Sequence, residues 1–108
     1  MGILTSTYGL NYQLNERANC ESKISDCEKK TLDLSNTINE LANVQSGLPK
    51  DSPELKALEA RVKRLQVLET QLEQQKTKHQ NKLQIIEKEI QKHQQDFSNS
   101  VNRFYGQS

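Results

Sequence analysis

The sequence predicts an all-α protein, an antiparallel two-helix coiled-coil hairpin that is expected to dimerise into a four-helix bundle. Apolar residues make up only 32% of the 108 residues, against roughly 45–50% in ordinary globular domains. They nevertheless recur at steps of three and four, the heptad spacing of helices that bury one narrow stripe. A segment containing glycine and proline interrupts the pattern near residue 50. The chain is therefore expected to form one domain, residues 1–108, of two helices and a turn.

The first helix is predicted from about residue 10 to residue 46. Its stripe alternates steps of four and three through Cys20, Ile24, Cys27, Thr31, Leu34, Ile38, Leu41, Gln45 and Leu48. Leu10 and Leu14 extend the stripe upstream, with Ala18 as a small step. Gly9 weakens any helix that runs through it, because glycine has a low helix propensity. The sequence therefore leaves the beginning of this helix open.

The turn is predicted over residues 47–52. Gly47 suits the left-handed conformation just beyond a helix C-terminus, and Pro49 prevents the helix from continuing. Ser52 is a good N-cap, and Pro53 then occupies the first helical position, where its missing N–H costs nothing. A connection this short makes the two neighbouring helices antiparallel.

The second helix is predicted from about residue 53 to about residue 103. Its stripe consists of Leu55, Leu58, Val62, Leu65, Leu68, Leu72, Leu83, Ile86, Ile90, Phe97, Val101 and Phe104. Two successive steps of three lead to Leu68, and such a stammer would overwind a coiled coil. No large apolar residue lies between residues 73 and 82. There the helix contact must be lined by Gln75 or Lys76, and by His79.

Folding the chain near residue 50 pairs residues whose numbers sum to roughly 100, and the two stripes then face each other. Leu41 meets Leu58, and Leu10 meets Ile90. We call this line of facing residues the seam. Its predicted members are Cys20, Ile24, Cys27, Leu34, Ile38, Leu41, Leu58, Val62, Leu65, Leu72, Leu83, Ile86 and Ile90.

No residue pattern indicates a catalytic, cofactor or metal site. His79 and His93 lie about 21 Å apart along one helix, too far to share a metal ion. Cys20 facing His79 would supply half of a zinc site, and a dimer would have to supply the other half. Cys20 and Cys27 lie about 10 Å apart on one helix, beyond the reach of a disulfide. We interpret both cysteines as small core residues, with an intermolecular disulfide as the alternative.

Two further apolar groups could bind partners. The candidate partner-binding pole contains Tyr8, Leu10, Tyr12, Phe97, Val101, Phe104 and Tyr105, beside Ile3 and Leu4. In the hairpin both ends of the chain come to this pole, which either closes the open end or binds a partner or a second copy. Leu32, Val44, Val67 and Ile85 flank the seam, which favours self-association.

Membrane and nucleic-acid functions are not expected. No apolar run reaches the roughly 18 residues of a transmembrane helix. The start lacks a signal-peptide pattern, so the chain is expected to be cytoplasmic or exported without a cleavable signal. Residues 2–6 fit the N-myristoylation pattern at Gly2, but no polybasic segment accompanies it, so a lipid anchor is not expected. The basic stretches within 56–64 and 76–82 are typical of a solvated helix face.

Around the turn, the run Pro49-Lys50-Asp51-Ser52-Pro53-Glu54-Leu55 resembles the subunits of type III secretion needles. Those subunits are short helical hairpins with a Pro-x-x-Pro-type turn before a leucine-rich helix. Here the spacing is one residue longer, and the second helix is longer and richer in glutamine and lysine. The resemblance covers about ten residues of the turn. In overall style the chain also resembles uncharacterised bacterial coiled-coil proteins, and both resemblances imply an exported or polymerising hairpin.

The leading functional hypothesis is a non-catalytic structural or interaction protein. It would self-associate, as a homodimer, or dock on other helical proteins by burying its apolar stripes. One alternative is a small chaperone, adaptor or needle-like component of a bacterial secretion system. A second alternative is a nucleic-acid-associated regulator.

Overall fold

The computed structural model describes the backbone of residues 3–106 and the side chains of residues 7–106. The hypothesis about Gly2, and those about the side chains of Ile3 and Leu4, lie outside these ranges. The described chain consists of two helices, α1 (Ile3–Ser46) and α2 (Pro53–Gly106), and contains no strand. The predicted all-α helical hairpin is confirmed. Over the described residues, neither helix has an apolar stretch sufficient to cross a membrane.

The chain divides into two compact units. The terminal unit contains residues 1–23 and 78–108, and the turn unit contains residues 24–77. Each unit contains one part of α1 and one part of α2, and the turn unit also contains the connection between the helices.

In the turn unit, α1 ends in two tightened hydrogen bonds. The Gly47 N–H donates to Val44 O and the Leu48 N–H to Gln45 O, each at 3.1 Å. These i to i−3 bonds are of the 3₁₀ type and satisfy carbonyls that the helix would leave unpaired. The prediction that Gly47 adopts the left-handed conformation is wrong, because no described glycine has a positive φ. Asp51 adopts it instead, with φ at 62°, and aspartate tolerates this region better than most residues.

The α2 helix begins at a capped end. The Leu55 N–H donates to Ser52 Oγ at 3.1 Å, and the Lys56 N–H donates to Ser52 O at 3.2 Å. Pro53 is the first residue of the helix, and Glu54 places a negative charge in its first turn, where the helix dipole favours it. Side-chain capping, proline and charge therefore all fix the same starting residue.

In the terminal unit, both helices are longer than the sequence indicated. The α1 helix begins at Ile3, ahead of the predicted start near residue 10, and runs through Gly9. The α2 helix continues to Gly106, past the predicted end near residue 103. Gly9 lies against His93, and a Cβ at this position would be only 2.6 Å from His93 Cε1. The absence of a side chain at Gly9 therefore lets the imidazole approach the α1 backbone.

The core of the terminal unit is a cluster of Cys20, Ile86 and Ile90. The partly buried Leu10, Leu14 and Leu83 pack against this cluster. The prediction that Ala18 belongs to the stripe is wrong. Ala18 is exposed, and the preceding residue Arg17 is half-buried in its place. A helical step of three back from Cys20 reaches residue 17 and continues the heptad of the seam.

The core of the turn unit is thinner. Only Cys27 and Val62 are buried among its apolar residues, whereas most other seam positions are half-buried. The half-buried seam residues are Ile24, Leu34, Ile38, Leu41, Leu58, Leu65 and Leu72. Thr31, also half-buried, satisfies its hydroxyl locally by donating to Cys27 O at 2.7 Å.

The predicted stammer at Leu68 is wrong. Leu68 is 48% exposed, and the neighbouring Glu69 is half-buried in its place. The seam of α2 in this unit therefore runs through Leu65, Glu69, Leu72 and Lys76 at alternating steps of four, three and four. A regular heptad keeps the seam facing α1 without local overwinding, although it places two charged side chains there.

Candidate interaction surface

The turn unit has an open apolar groove between α1 and α2. Its volume is about 390 Å³. Leu34 and Thr37 line it from α1, and Leu68 and Leu72 line it from α2, with Lys30, Asp33 and Gln71 at its edges. Leu68 is exposed because it lies one position beyond the seam, on the side of the hairpin where this groove opens.

A second groove of about 380 Å³ lies nearer the turn. It is lined by Val44, Leu48, Glu54, Ala57, Leu58 and Arg61. Its residues continue those of the first groove at heptad spacing, since Val44 follows Thr37 and Leu68 follows Arg61 by seven positions. Residues seven apart lie on the same side of a helix in a coiled coil. The two grooves therefore occupy one side of the turn unit, which we call the groove flank.

The opposite side of the turn unit is polar. The heptad positions next to the seam on that side are occupied by Glu28, Ser35, Ala42, Glu59, Gln66 and Glu73, of which only Ala42 is apolar. Lys76, a half-buried seam residue, extends its ammonium group to within 3.7 Å of Glu28 Oε1. Its apolar stem fills the seam while its charge reaches the polar side, a common arrangement for lysine. The groove flank therefore combines apolar and charged side chains, whereas the opposite side is mainly polar.

The four predicted flanking residues, Leu32, Val44, Val67 and Ile85, are all exposed. Among them only Val44 lines one of the two grooves. The sequence does not identify Leu68 as a surface residue, because its apolar side chain fits the stripe predicted for the second helix. Strict continuation of the heptad through Glu69 would have placed Leu68 on the flank.

The candidate pole belongs to the terminal unit, and most of its aromatic residues are exposed. The exposed members are Tyr8, Tyr12, Phe97, Phe104 and Tyr105, whereas Leu10 and Val101 are half-buried. Leu10 packs against the core cluster rather than lying free at the surface. Phe104 and Tyr105 pack edge to face, with ring centroids 5.4 Å apart. This pole is a second apolar surface.

Two residues of the predicted basic stretch 76–82 contact carboxylates. Lys82 Nζ lies 3.5 Å from Glu16 Oε2 in the terminal unit, and Lys76 contacts Glu28 in the turn unit. These contacts offset part of the positive charge that a nucleic-acid phosphate would require.

The cysteines lie within the protein. Cys20 and Cys27 are buried free thiols. Over the described part of the chain, no group of three or more histidine, cysteine, aspartate or glutamate side chains is placed to hold a metal ion.

No protein-family model, curated protein or solved structure matches the chain.

Proposed function

We propose that this chain is a non-catalytic structural coiled-coil protein that self-associates, with two hairpins packing as a four-helix bundle. Docking on another helical protein would use the same apolar surface. The observation that supports the proposal is incomplete burial in the turn unit, where only Cys27 and Val62 are buried apolar residues. Its seam leucines are half-buried, and Leu68 is exposed.

The energetic argument follows from the geometry of two helices. A hairpin covers each apolar stripe from one side, and small cores of this kind are marginally stable without oligomerisation. Burying further apolar surface contributes about 25 cal/mol per Å². Half-buried leucines along the groove flank would complete their burial against a second layer of helices. Association of two hairpins would therefore stabilise the fold, and the resulting assembly is the proposed function.

The charged seam residues support a defined partner arrangement. Glu69 and Lys76 occupy seam positions where leucine would give greater stability. A polar residue at a coiled-coil core position disfavours registers that would leave it facing an apolar side chain. We infer that these two residues restrict the hairpin to one register and one assembly.

Sedimentation equilibrium of the purified chain at about 0.05 M and about 1 M salt tests the proposal. Association through apolar surface should persist at the higher salt concentration, because burial of apolar groups is not screened by ions. Binding to nucleic-acid phosphates, measured in parallel with a mixed-sequence duplex, should fall steeply over the same range. A chain that is monomeric at both salt concentrations, or that binds the duplex tightly, would contradict the proposal.

A further inference from the structure

We propose that a second copy of this chain packs antiparallel on the groove flank of the turn unit. Lys30 of each copy would face the partner's Asp33, and Leu68 of each copy would pack against the partner's Leu72. This inference rests on the proposed self-association, to which it adds a surface, a symmetry and residue contacts.

The groove provides the apolar part of this interface. Leu34 and Leu72 form its half-buried lining, and Leu68 projects beside it with 48% of its surface exposed. Apolar side chains that project from a second layer of helices can fill such a groove. The α2 helix of a second copy offers Leu68 as a projecting side chain and its own groove as the reciprocal site. In a two-fold dimer each contact occurs twice.

The charges at the groove edge are self-complementary. Lys30 and Asp33 lie one helical turn apart on α1 and both border the groove. Over the described residues, neither side chain is paired with an opposite charge in the chain itself. A two-fold axis perpendicular to α1 between residues 31 and 32 exchanges these two positions between copies. Each lysine then faces a carboxylate, and two equivalent ion pairs form.

The same axis also accounts for the leucine contact. In the turn unit, the pair Glu28 and Lys76 gives the register of the two helices, since the numbers of these two contacting residues sum to 104. The axis therefore crosses α2 between residues 72 and 73. It brings the two copies of Leu72 together and places Leu68 of each copy within about 8 Å, along the helix, of the partner's Leu72. One symmetry operation thus satisfies both the charge pairing on α1 and the apolar packing on α2.

The polar side of the turn unit does not support self-packing. It carries Glu59 and Glu73 at positions beside the seam, in addition to Glu28, which Lys76 contacts. Packing two copies through that side would bring like charges together, which is destabilising. The groove flank is therefore the side on which a second copy is favoured.

Leu68→Glu tests the surface, with Val67→Glu as its matched control. Val67 is the preceding residue on α2, is 57% exposed and lines neither groove. Leu68→Glu should raise the dimer dissociation constant about a hundredfold, because two leucine contacts are lost in each dimer. Val67→Glu should change it less than about threefold. Both measurements use sedimentation equilibrium, with circular dichroism to verify that each variant stays helical.

A charge exchange tests the orientation. Lys30→Asp and Asp33→Lys, made separately, should each raise the dissociation constant about tenfold, because each places like charges together twice in the dimer. The double variant K30D/D33K should return it to within about threefold of the wild-type value. A double variant as weak as the single ones would overturn the antiparallel pairing. A wild-type dimer that is indifferent to Leu68→Glu would overturn the groove surface alone, whereas a monomeric wild type would overturn the proposed function itself.

Discussion

Gly9 and His93 meet in the terminal unit, where the imidazole of α2 lies against the backbone of α1. A Cβ at Gly9 would lie 2.6 Å from His93 Cε1 and 3.0 Å from Nδ1. Nδ1 is buried and has no hydrogen-bond partner among the described atoms. The pair therefore combines a close helix contact with an unsatisfied polar atom, and each property has a measurable consequence.

The close contact predicts coupling between the two positions. Gly9→Ala alone should stabilise the protein by less than the roughly 1 kcal/mol expected from helix propensity, because the imidazole must move. In a His93→Ala background the same change should give the full gain. Urea unfolding of the four proteins in the cycle measures the coupling, which we expect to be about 1 kcal/mol. Additive effects of the two substitutions would contradict the contact.

The unsatisfied nitrogen predicts that an apolar residue is preferred at position 93. His93→Leu should raise the free energy of unfolding by about 1 kcal/mol, because a buried polar atom without a partner costs roughly 1–3 kcal/mol. His93→Gln, which retains polarity, should give no such gain. Thermal and urea unfolding followed by circular dichroism would measure both variants. A loss of stability on His93→Leu would mean that the imidazole makes a favourable polar interaction.

Adjacent isoleucines on α2 give a direct test of the seam in the terminal unit. Ile86 is 5% exposed and lies in the core cluster, whereas Ile85 is 62% exposed. Ile86→Ala should cost roughly 2–4 kcal/mol, because it removes buried methyl groups and leaves a cavity. Ile85→Ala should change stability by less than about 0.5 kcal/mol. Equal losses at the two positions would place the seam elsewhere on the helix.

The left-handed residue in the turn predicts a steric ranking at position 51. Asp51 has φ at 62°, a conformation that disfavours β-branched side chains and is free of strain for glycine. Asp51→Val should destabilise the protein by roughly 1–2 kcal/mol, and Asp51→Gly should be neutral or slightly stabilising. Gly47→Ala is the control and should be well tolerated, because Gly47 has no positive φ. The opposite ranking in urea unfolding would locate the reversal of the chain at Gly47.

Replacing Lys76 in the seam should make the turn unit more stable and its choice of oligomer less specific. Lys76→Leu should stabilise the turn unit by about 1 kcal/mol, because it adds apolar burial and loses only a partly exposed ion pair. It should also broaden the distribution of oligomers, since the charge at this seam position no longer disfavours other registers. Glu28→Gln, which removes only the ion pair, should change stability by less than about 0.5 kcal/mol. Sedimentation velocity and urea unfolding together measure both effects.

The hairpin was predictable because two apolar stripes of heptad spacing flank one turn signal. The beginning of α1 was not, because Gly9 argues against a helix by its propensity while its contact with His93 depends on tertiary packing. The sequence indicates Gly47 rather than Asp51 as the left-handed residue, because glycine is the usual choice after a helix. The 3₁₀ hydrogen bonds that end α1 cannot be predicted from residue types.

The groove flank was not predicted from the sequence, for a different reason. The hydrophobicity of Leu68 includes it in the predicted stripe of the second helix, although strict heptad spacing places Glu69 in the seam instead. The burial of a charged residue beside an exposed leucine reverses the usual preference. The heptad spacing of α2, rather than the polarity of the side chains, decides which of the two residues faces α1. Leu68 therefore lies on the groove flank.

The dependence of unfolding on protein concentration tests the central claim most directly. If association completes the burial of the half-exposed seam, the urea midpoint of the helical circular dichroism signal must rise as the protein concentration is increased, because only the folded state associates. We expect a clear upward shift over a hundredfold range of concentration for the wild type, and little shift for Leu68→Glu. A wild-type midpoint that stays constant over this range would show that the hairpin is stable alone, and would contradict the account.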